Sequence, residues 1–376
     1  MKIIIVGPVF PWRGGIAHHS ASLANRLRNT HEVEMVTFSR QYPSFLFPGK
    51  SQYDTAGQPP LVPIHQWIDS INPFSWLVTA RRIRKLKPDI VVFAYSLPYF
   101  APCYGIIAAL IRWGTRARAL FLCHNIVPHE KHFGDELLTR FAFAFSDYFI
   151  VQSRGVENDL LRLVPRAKYV LSPHPIYEKF GPPQPKREAR PRLRIEAPKV
   201  LLYFGYIRPY KGVTVLIDAL KQLVDGGMTD MLLLIVGEFY DDEERYRRKI
   251  RELHIDAHVR IVSEYVPNDE VPLYFSAADV VILPYLSATQ SGIAQIAYNF
   301  NTPMIATDVG GLAEVVVDGK TGIVVPAGDP TALASAIRRF YESGMEGELA
   351  AGVAAEKKRY SWETFISRLE ELVRFS

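Results

Sequence analysis

Cysteine is scarce in this chain, and long apolar runs are missing. Cys103 and Cys123 are the two cysteines among 376 residues. They cannot form a disulfide framework, and no CxxC or Cys/His zinc spacing accompanies them, so a reducing compartment is expected. The opening MKIIIVG has neither the length nor the cleavage site of a signal peptide. The longest apolar stretch, Tyr99 to Ile111, contains Pro102 and is stopped by Arg112. A bilayer span takes about 20 residues, so this stretch reads as a buried core helix and the chain as cytoplasmic. Catalytic signatures are missing as well. No Walker A loop marks an NTPase, and no G-x-S-x-G elbow marks an acyl hydrolase. No D-x-D sequence offers the metal-chelating site of single-domain sugar transferases.

What is present is an ordinary globular composition, 48% hydrophobic and 22% charged. The length suggests about two domains. The net charge of +5 conceals an asymmetry: residues 1–183 carry 21 Lys/Arg and 12 Asp/Glu (net +9), leaving 23 and 27 (net −4) for residues 184–376. A surplus this diffuse does not suit a nucleic-acid binder, but it suits an anionic surface.

Short β-branched runs alternate with amphipathic helices. Lys2–Val6, Val33–Phe38, Asp89–Ala94, Leu120–Cys123 and Tyr148–Val151 read as strands, with helices at His18–Leu27 and Phe74–Leu86. The Pro-rich, basic stretch from Gly181 to Lys199 breaks the pattern and reads as an exposed linker. Strand signals resume at 200–204, 231–236, 259–262, 280–283, 304–306 and 322–325, and 361–375 reads as a last amphipathic helix. This gives an α/β chain of two doubly wound parallel-sheet, Rossmann-like domains. The boundaries are 1–183, completed by the helix 361–376, then a linker 184–199, then 200–360. Ligands of such sheets bind beyond the carboxyl ends of the strands, so a cleft between the halves is the expected site.

Four loops lie where that rule points. The first is VGPVFPWRGGIAHHS, with Gly14 and Gly15 opening a helix that also carries His18 and His19. Glycines there let backbone N–H groups approach a phosphate or sugar, although the spacing is not the dinucleotide G-x-G-x-x-G. The second is FGYIRPYKG, residues 204–212, where Arg208 and Lys211 suit a diphosphate. In the third, Gln290, Ser291 and Gly292 precede an apolar helix whose free N–H groups make a second anion site. The fourth places His124 directly after a strand. His129, Glu130 and His132 follow, but H-E-K-H is not H-E-x-x-H, so no metal site is expected.

In this order the four loops, with Val309-Gly310-Gly311 and Glu314 after them, resemble a retaining glycosyltransferase of family 4 with the GT-B fold, over essentially the whole chain. The resemblance implies a nucleotide-diphospho-sugar as co-substrate and no cofactor. It also implies catalytic roles for His124, Lys211 and Arg208. Donor contacts would come from Gly14, Gly15, Gly205, Tyr206, Gly237, Tyr265, Thr289, Gln290, Ser291 and Gly292. There are two departures. The family's G-R arginine falls at Tyr206, with Arg208 two residues on. The paired glutamates, eight positions apart, fall at Thr289 and Ala297, which marks a variant branch.

The acceptor side is sought in the N-terminal half, at His18, His19, Phe45 and Phe47. Phe45 and Phe47 lie in the loop RQYPSFLFPGK. With the cations from Arg81 to Lys87, this loop suggests docking on an anionic membrane surface and a lipid-linked or polysaccharide acceptor. An epimerase of the same fold and a non-catalytic sugar or nucleotide binder are the alternatives.

Overall fold

The computed structural model describes residues 1–43, 52–54, 59–128, 133–176, 180–288 and 291–374. Contacts divide the chain into two units, Met1–Pro173 with Trp362–Ser376, and His174–Ser361.

Unit 1 is built on strands β1 (Lys2–Val6), β2 (Glu32–Arg40), β3 (Ile64–Asp69), β4 (Ile90–Tyr95), β5 (Arg118–Cys123), β6 (Tyr148–Val151) and β7 (Tyr169–Leu171). They form one sheet in the order β3-β2-β1-β4-β5-β6-β7, and every pairing is parallel. The helices are α1 (Gly15–Leu27), α2 (Pro73–Lys85), α3 (Ala101–Gly114), α4 (Asp135–Phe143) and α5 (Arg154–Leu163). One sheet face is sealed by α2 to α5, through residues such as Trp76, Ile83, Ile107 and Leu160. The other is sealed by α1 and by the last helix of the chain, through Leu23, Leu27, Trp362, Phe365 and Leu369. A sheet covered on both faces needs strands apolar on both sides, hence β4 (IVVFAY), buried at every position. Strands β3 and β7 have no clear signal in the sequence because they are edges. Their residues are mostly half-buried and their apolar content is diluted.

Unit 2 repeats the design. Its strands are β8 (Lys199–Phe204), β9 (Met231–Val236), β10 (Val259–Val262), β11 (Val280–Leu283), β12 (Met304–Thr307) and β13 (Gly322–Val325). They are ordered β10-β9-β8-β11-β12-β13 and again parallel. Helices α6 (Lys186–Arg192), α7 (Val213–Asp225), α8 (Glu243–Glu252), α9 (Val271–Ala277), α10 (Gly292–Asn299), α11 (Leu312–Val315), α12 (Pro330–Glu342) and α13 (Glu346–Glu356) surround it. The closing helix α14 (Trp362–Arg374) belongs to unit 1.

The stretch 184–199 is not a free linker. Within it α6 packs on α9, with Ala189 fully buried. Its cations have a buried target. Arg190 donates to Asp279 Oδ1 at 2.7 Å and to the Ala277 carbonyl at 3.0 Å, and Lys186 bridges Asp279 and Glu346. Asp279 also accepts the Val200 N–H at 2.7 Å. Basic, Pro-rich composition imitates a linker because the acidic partner lies about 90 residues away in sequence, outside any local window.

Candidate functional site

Strand order reverses between β1 and β4 in unit 1 and between β8 and β11 in unit 2. At such a switch point the loops leaving two neighbouring strands diverge to opposite faces and open a crevice beyond the strand ends. In unit 2 those loops are 205–212 and the one that leaves β11 at Pro284.

They are locked together at backbone level. Gly212 has φ +68°, and a Cβ there would stand 1.8 Å from the Pro284 carbonyl oxygen. Only glycine permits both the left-handed turn and the close approach. The Leu286 N–H donates to the Tyr210 carbonyl at 2.7 Å. Gly205 and Gly237 stand back to back: a Cβ on Gly237 would be 2.1 Å from the Gly205 carbonyl oxygen.

Onto this frame the side chains converge. The half-buried Lys211 donates from Nζ to the Tyr285 hydroxyl at 3.0 Å and lies 4.5 Å from that ring's centre. The Tyr285 hydroxyl is 3.2 Å from Ser291 Oγ, and Ser291 caps α10 by accepting the Ala294 N–H at 3.4 Å. Thr307, at the end of β12, donates to the Tyr285 carbonyl at 2.6 Å. A cation, a buried tyrosine and a helix N-terminus thus form one connected unit. Burial works against the charge on Lys211, but Tyr285 and Tyr210 outweigh it, and the ammonium is held above the ordinary lysine range. Arg208 opposes this as a neighbouring cation, and its guanidinium lies 5.0 Å from the Tyr240 ring centre. Tyr206, at the family's arginine position, packs on the same Tyr240 ring with centroids 4.7 Å apart.

Tyr265 is half-buried just past β10, two strands from β8. Ala297 is fully buried in α10, and so is Gln295, whose Oε1 has no hydrogen-bond partner among the described residues. Gly292 begins α10. Thr289 and Gln290 lie outside the described residues. Tyr285 is the residue that motif reading misses. A tyrosine directly after a strand and a proline looks like core, and it is buried, but its hydroxyl joins two loops.

In unit 1, Gly14 caps α1 with φ +116°, and a Cβ there would meet nothing within 4 Å. Gly15 is the first residue of that helix. His124 leaves β5, is buried, and donates its N–H to the Tyr95 carbonyl at 2.8 Å. His19, expected beside the acceptor, presents no surface. It sits on the core face of α1, edge-on to His124 with ring centres 4.8 Å apart, and its Nε2 is 3.3 Å from Gln152 Nε2. His18, one residue earlier, is half-exposed, with Nε2 4.0 Å from the Asp54 carboxylate. Phe45, Phe47, His129, Glu130 and His132 lie outside the described residues. Among the described residues no group of three or more His, Cys, Asp or Glu could hold a metal ion, and no helix is long and apolar enough to cross a membrane.

Two parallel sheets of matching strand order, each with its loops gathered at a switch point, define the GT-B class of α/β proteins. Solved structures bear this out. Anabaena HepE in complex with UDP has a TM-score of 0.80, is 17% identical, and both chains are covered completely. Sucrose-phosphate synthase from Thermosynechococcus elongatus has a TM-score of 0.73 at 20% identity, over all of this chain and 98% of its own. The sequence narrows the class. Residues 13–179 match the model "Glycosyltransferase Family 4", and residues 198–343 match "Glycosyl transferases group 1". The chain belongs to glycosyltransferase family 4. Among curated relatives, a D-inositol 3-phosphate glycosyltransferase of Acidothermus cellulolyticus is 29% identical over 58% of this chain and 48% of its own length. A phosphatidyl-myo-inositol mannosyltransferase of Mycobacterium leprae is 34% identical over 46% and 45%. The chain spans about half the length of the curated relatives it matches.

Proposed function

We propose that the protein transfers a hexose from a nucleoside-diphosphate sugar to a lipid-linked or saccharide acceptor, with retention of configuration and without a metal. The observation that carries this reading is the Lys211–Tyr285–Ser291 network at the unit 2 switch point. It presents a fixed ammonium and the start of a helix where a diphosphate leaving group needs both. HepE, whose structure was solved with UDP, supports the class of donor.

In the proposed reaction the bond from the anomeric carbon to the diphosphate oxygen breaks. The acceptor oxygen bonds to that carbon on the same face, and its proton passes to a leaving-phosphate oxygen. Negative charge grows on the diphosphate as the bond breaks. Lys211, Arg208 and the N–H groups opening α10 stabilise it, and preorganised donors of this kind contribute roughly 3 kcal/mol each. Gly205, Tyr206, Gly237 and Tyr265 line the donor side. In this reading Gly14, Gly15 and His124 of unit 1 also serve the donor sugar. His18 lies toward the acceptor. The protein works in the cytoplasm at the inner face of a membrane.

Calorimetric titration against a panel of nucleotide sugars, followed by hydrolysis and transfer assays, tests the reading. Binding of one donor with turnover that requires an acceptor supports it. Interconversion of the donor sugar without an acceptor identifies an epimerase, and binding without turnover identifies a non-catalytic binder. Either result overturns the proposal.

A further inference from the structure

The loops that follow β8 and β9 continue the pairing of those strands after the strands end. The Ile207 N–H donates to the Glu238 carbonyl at 2.9 Å, the Tyr240 N–H donates to the Ile207 carbonyl at 2.9 Å, and Ile207 and Phe239 form a parallel bridge. Successive side chains of extended backbone alternate in direction, so Tyr206 and Arg208 point away from the buried side chain of Ile207. Pro209 keeps Arg208 extended, at φ −137° and ψ 155°. Both side chains reach Tyr240. The Tyr206 and Tyr240 rings have centroids 4.7 Å apart with 32° between their planes, and the Arg208 guanidinium lies 5.0 Å from the Tyr240 ring centre.

Other arginines of unit 2 are fixed by acids: Arg190 by Asp279, Arg247 by Glu243 and Arg251 by Glu244. Among the described residues Arg208 forms no ion pair, and its side chain makes no hydrogen bond; it rests on the Tyr240 ring. A carboxylate would fix the guanidinium and cancel its charge. A ring face fixes it through the ring quadrupole, and leaves the charge and the N–H donors for a ligand. Lys211 is held in the same way. Its ammonium lies 4.5 Å from the Tyr285 ring centre and forms no ion pair among the described residues. Arg208 and Lys211 are close enough to repel each other. Two like charges held on separate rings, neither paired with an acid, are relieved by an anion that carries more than one charge.

We propose that Tyr240 is a positioning residue: its ring holds Arg208 beside Lys211, so that the two cations together grip the diphosphate of the donor. Tyr206 lies against the same ring and limits its rotation. The inference rests on the reading of Arg208 as a diphosphate ligand, and adds the group that makes Arg208 effective. Without the ring, the long arginine stem has no anchor. The charge then spreads over many rotamers, and each binding event must order it again.

The experiment is calorimetric titration of the full chain with UDP, GDP, ADP and dTDP, continued with whichever binds the native protein most tightly. The variants are the ring-less Tyr240→Leu and Tyr240→Gln, the ring-keeping Tyr240→Phe, Arg208→Ala, and each ring-less change combined with Arg208→Ala. Arg208→Ala should weaken binding by about tenfold or more, the loss of a hydrogen bond from a charged donor. The ring-less variants should weaken it about fivefold, the range of a cation–π contact, and Tyr240→Phe by less than about twofold. In the double variants the loss should match that of Arg208→Ala alone, because a ring that acts through the arginine has nothing left to hold. A merely structural tyrosine would add its own loss to that of the arginine. Additive losses, undiminished binding in the ring-less variants, or a Tyr240→Phe loss as large as theirs overturn the inference and leave the diphosphate role of Arg208 standing. Undiminished binding in Arg208→Ala, or no binding of any of the four nucleotides, overturns that role and the inference together.

Discussion

Replacing Lys211 with alanine tests the proposed chemistry most directly. Among the described residues the ammonium makes one hydrogen bond, to the Tyr285 hydroxyl at 3.0 Å, and that hydroxyl keeps Ser291 Oγ at 3.2 Å when the lysine is gone. The structural cost is therefore about one ordinary hydrogen bond, ~1 kcal/mol, and the loops remain tied by the Leu286 N–H to Tyr210 and by the seat of Gly212 under Pro284. The chemical cost is larger. Lys211 is charged throughout the neutral range, because its tyrosine neighbours outweigh the effect of burial. Its effect on a leaving diphosphate grows as the bond breaks. Removing a preorganised donor of this kind costs about 3–4 kcal/mol, or roughly a hundredfold to a thousandfold in turnover. Since the interaction strengthens in the transition state, kcat should fall far more than the donor KM rises. Tyr285→Phe keeps the cation and loses its tether, and should lose roughly tenfold. Steady-state transfer at saturating donor, with melting curves for each variant, decides the matter. Undiminished kcat in a folded Lys211→Ala protein would refute the leaving-group assignment.

Other expectations follow from single contacts. Gly212→Ala places a Cβ against the Pro284 carbonyl at positive φ and should cost more than ~3 kcal/mol in urea unfolding, with donor binding lost in parallel. Asp279→Asn leaves Lys186 and Arg190 facing a neutral amide. It should destabilise unit 2 by roughly 3–5 kcal/mol and release α6 to proteolysis at 186–192. His174 is buried, and desolvation pushes its pKa down to about 4, against a bond between Nδ1 and the Pro175 carbonyl oxygen. The unfolded chain takes up that proton first, near pH 6.5. Stability is therefore complete above that pH and falls by about 1.4 kcal/mol per pH unit as the solution is acidified toward pH 4. Urea titrations at pH 7 and pH 5 should differ by roughly 2 kcal/mol more in the native protein than in His174→Gln; equal differences would refute the assignment.

The sequence by itself determined most of the scaffold. Strands such as MLLLIV and IVVFAY are apolar at every position because parallel strands are covered on both faces. Their period and spacing are local properties, so they survive in the linear text, as do Gly205, Lys211 and Gly212 between a strand and a helix. Tertiary structure decided what depends on residues far apart. It turned a basic stretch into α6 by supplying Asp279, and it sent His19 inward against His124. It joined Lys211 to Ser291 through Tyr285, across 74 and 6 residues. It also brought the outward sides of α2, α3 and α4 onto one face. A single helix shows which of its residues are apolar, but whether those residues face core or solvent is set by what packs on the other side.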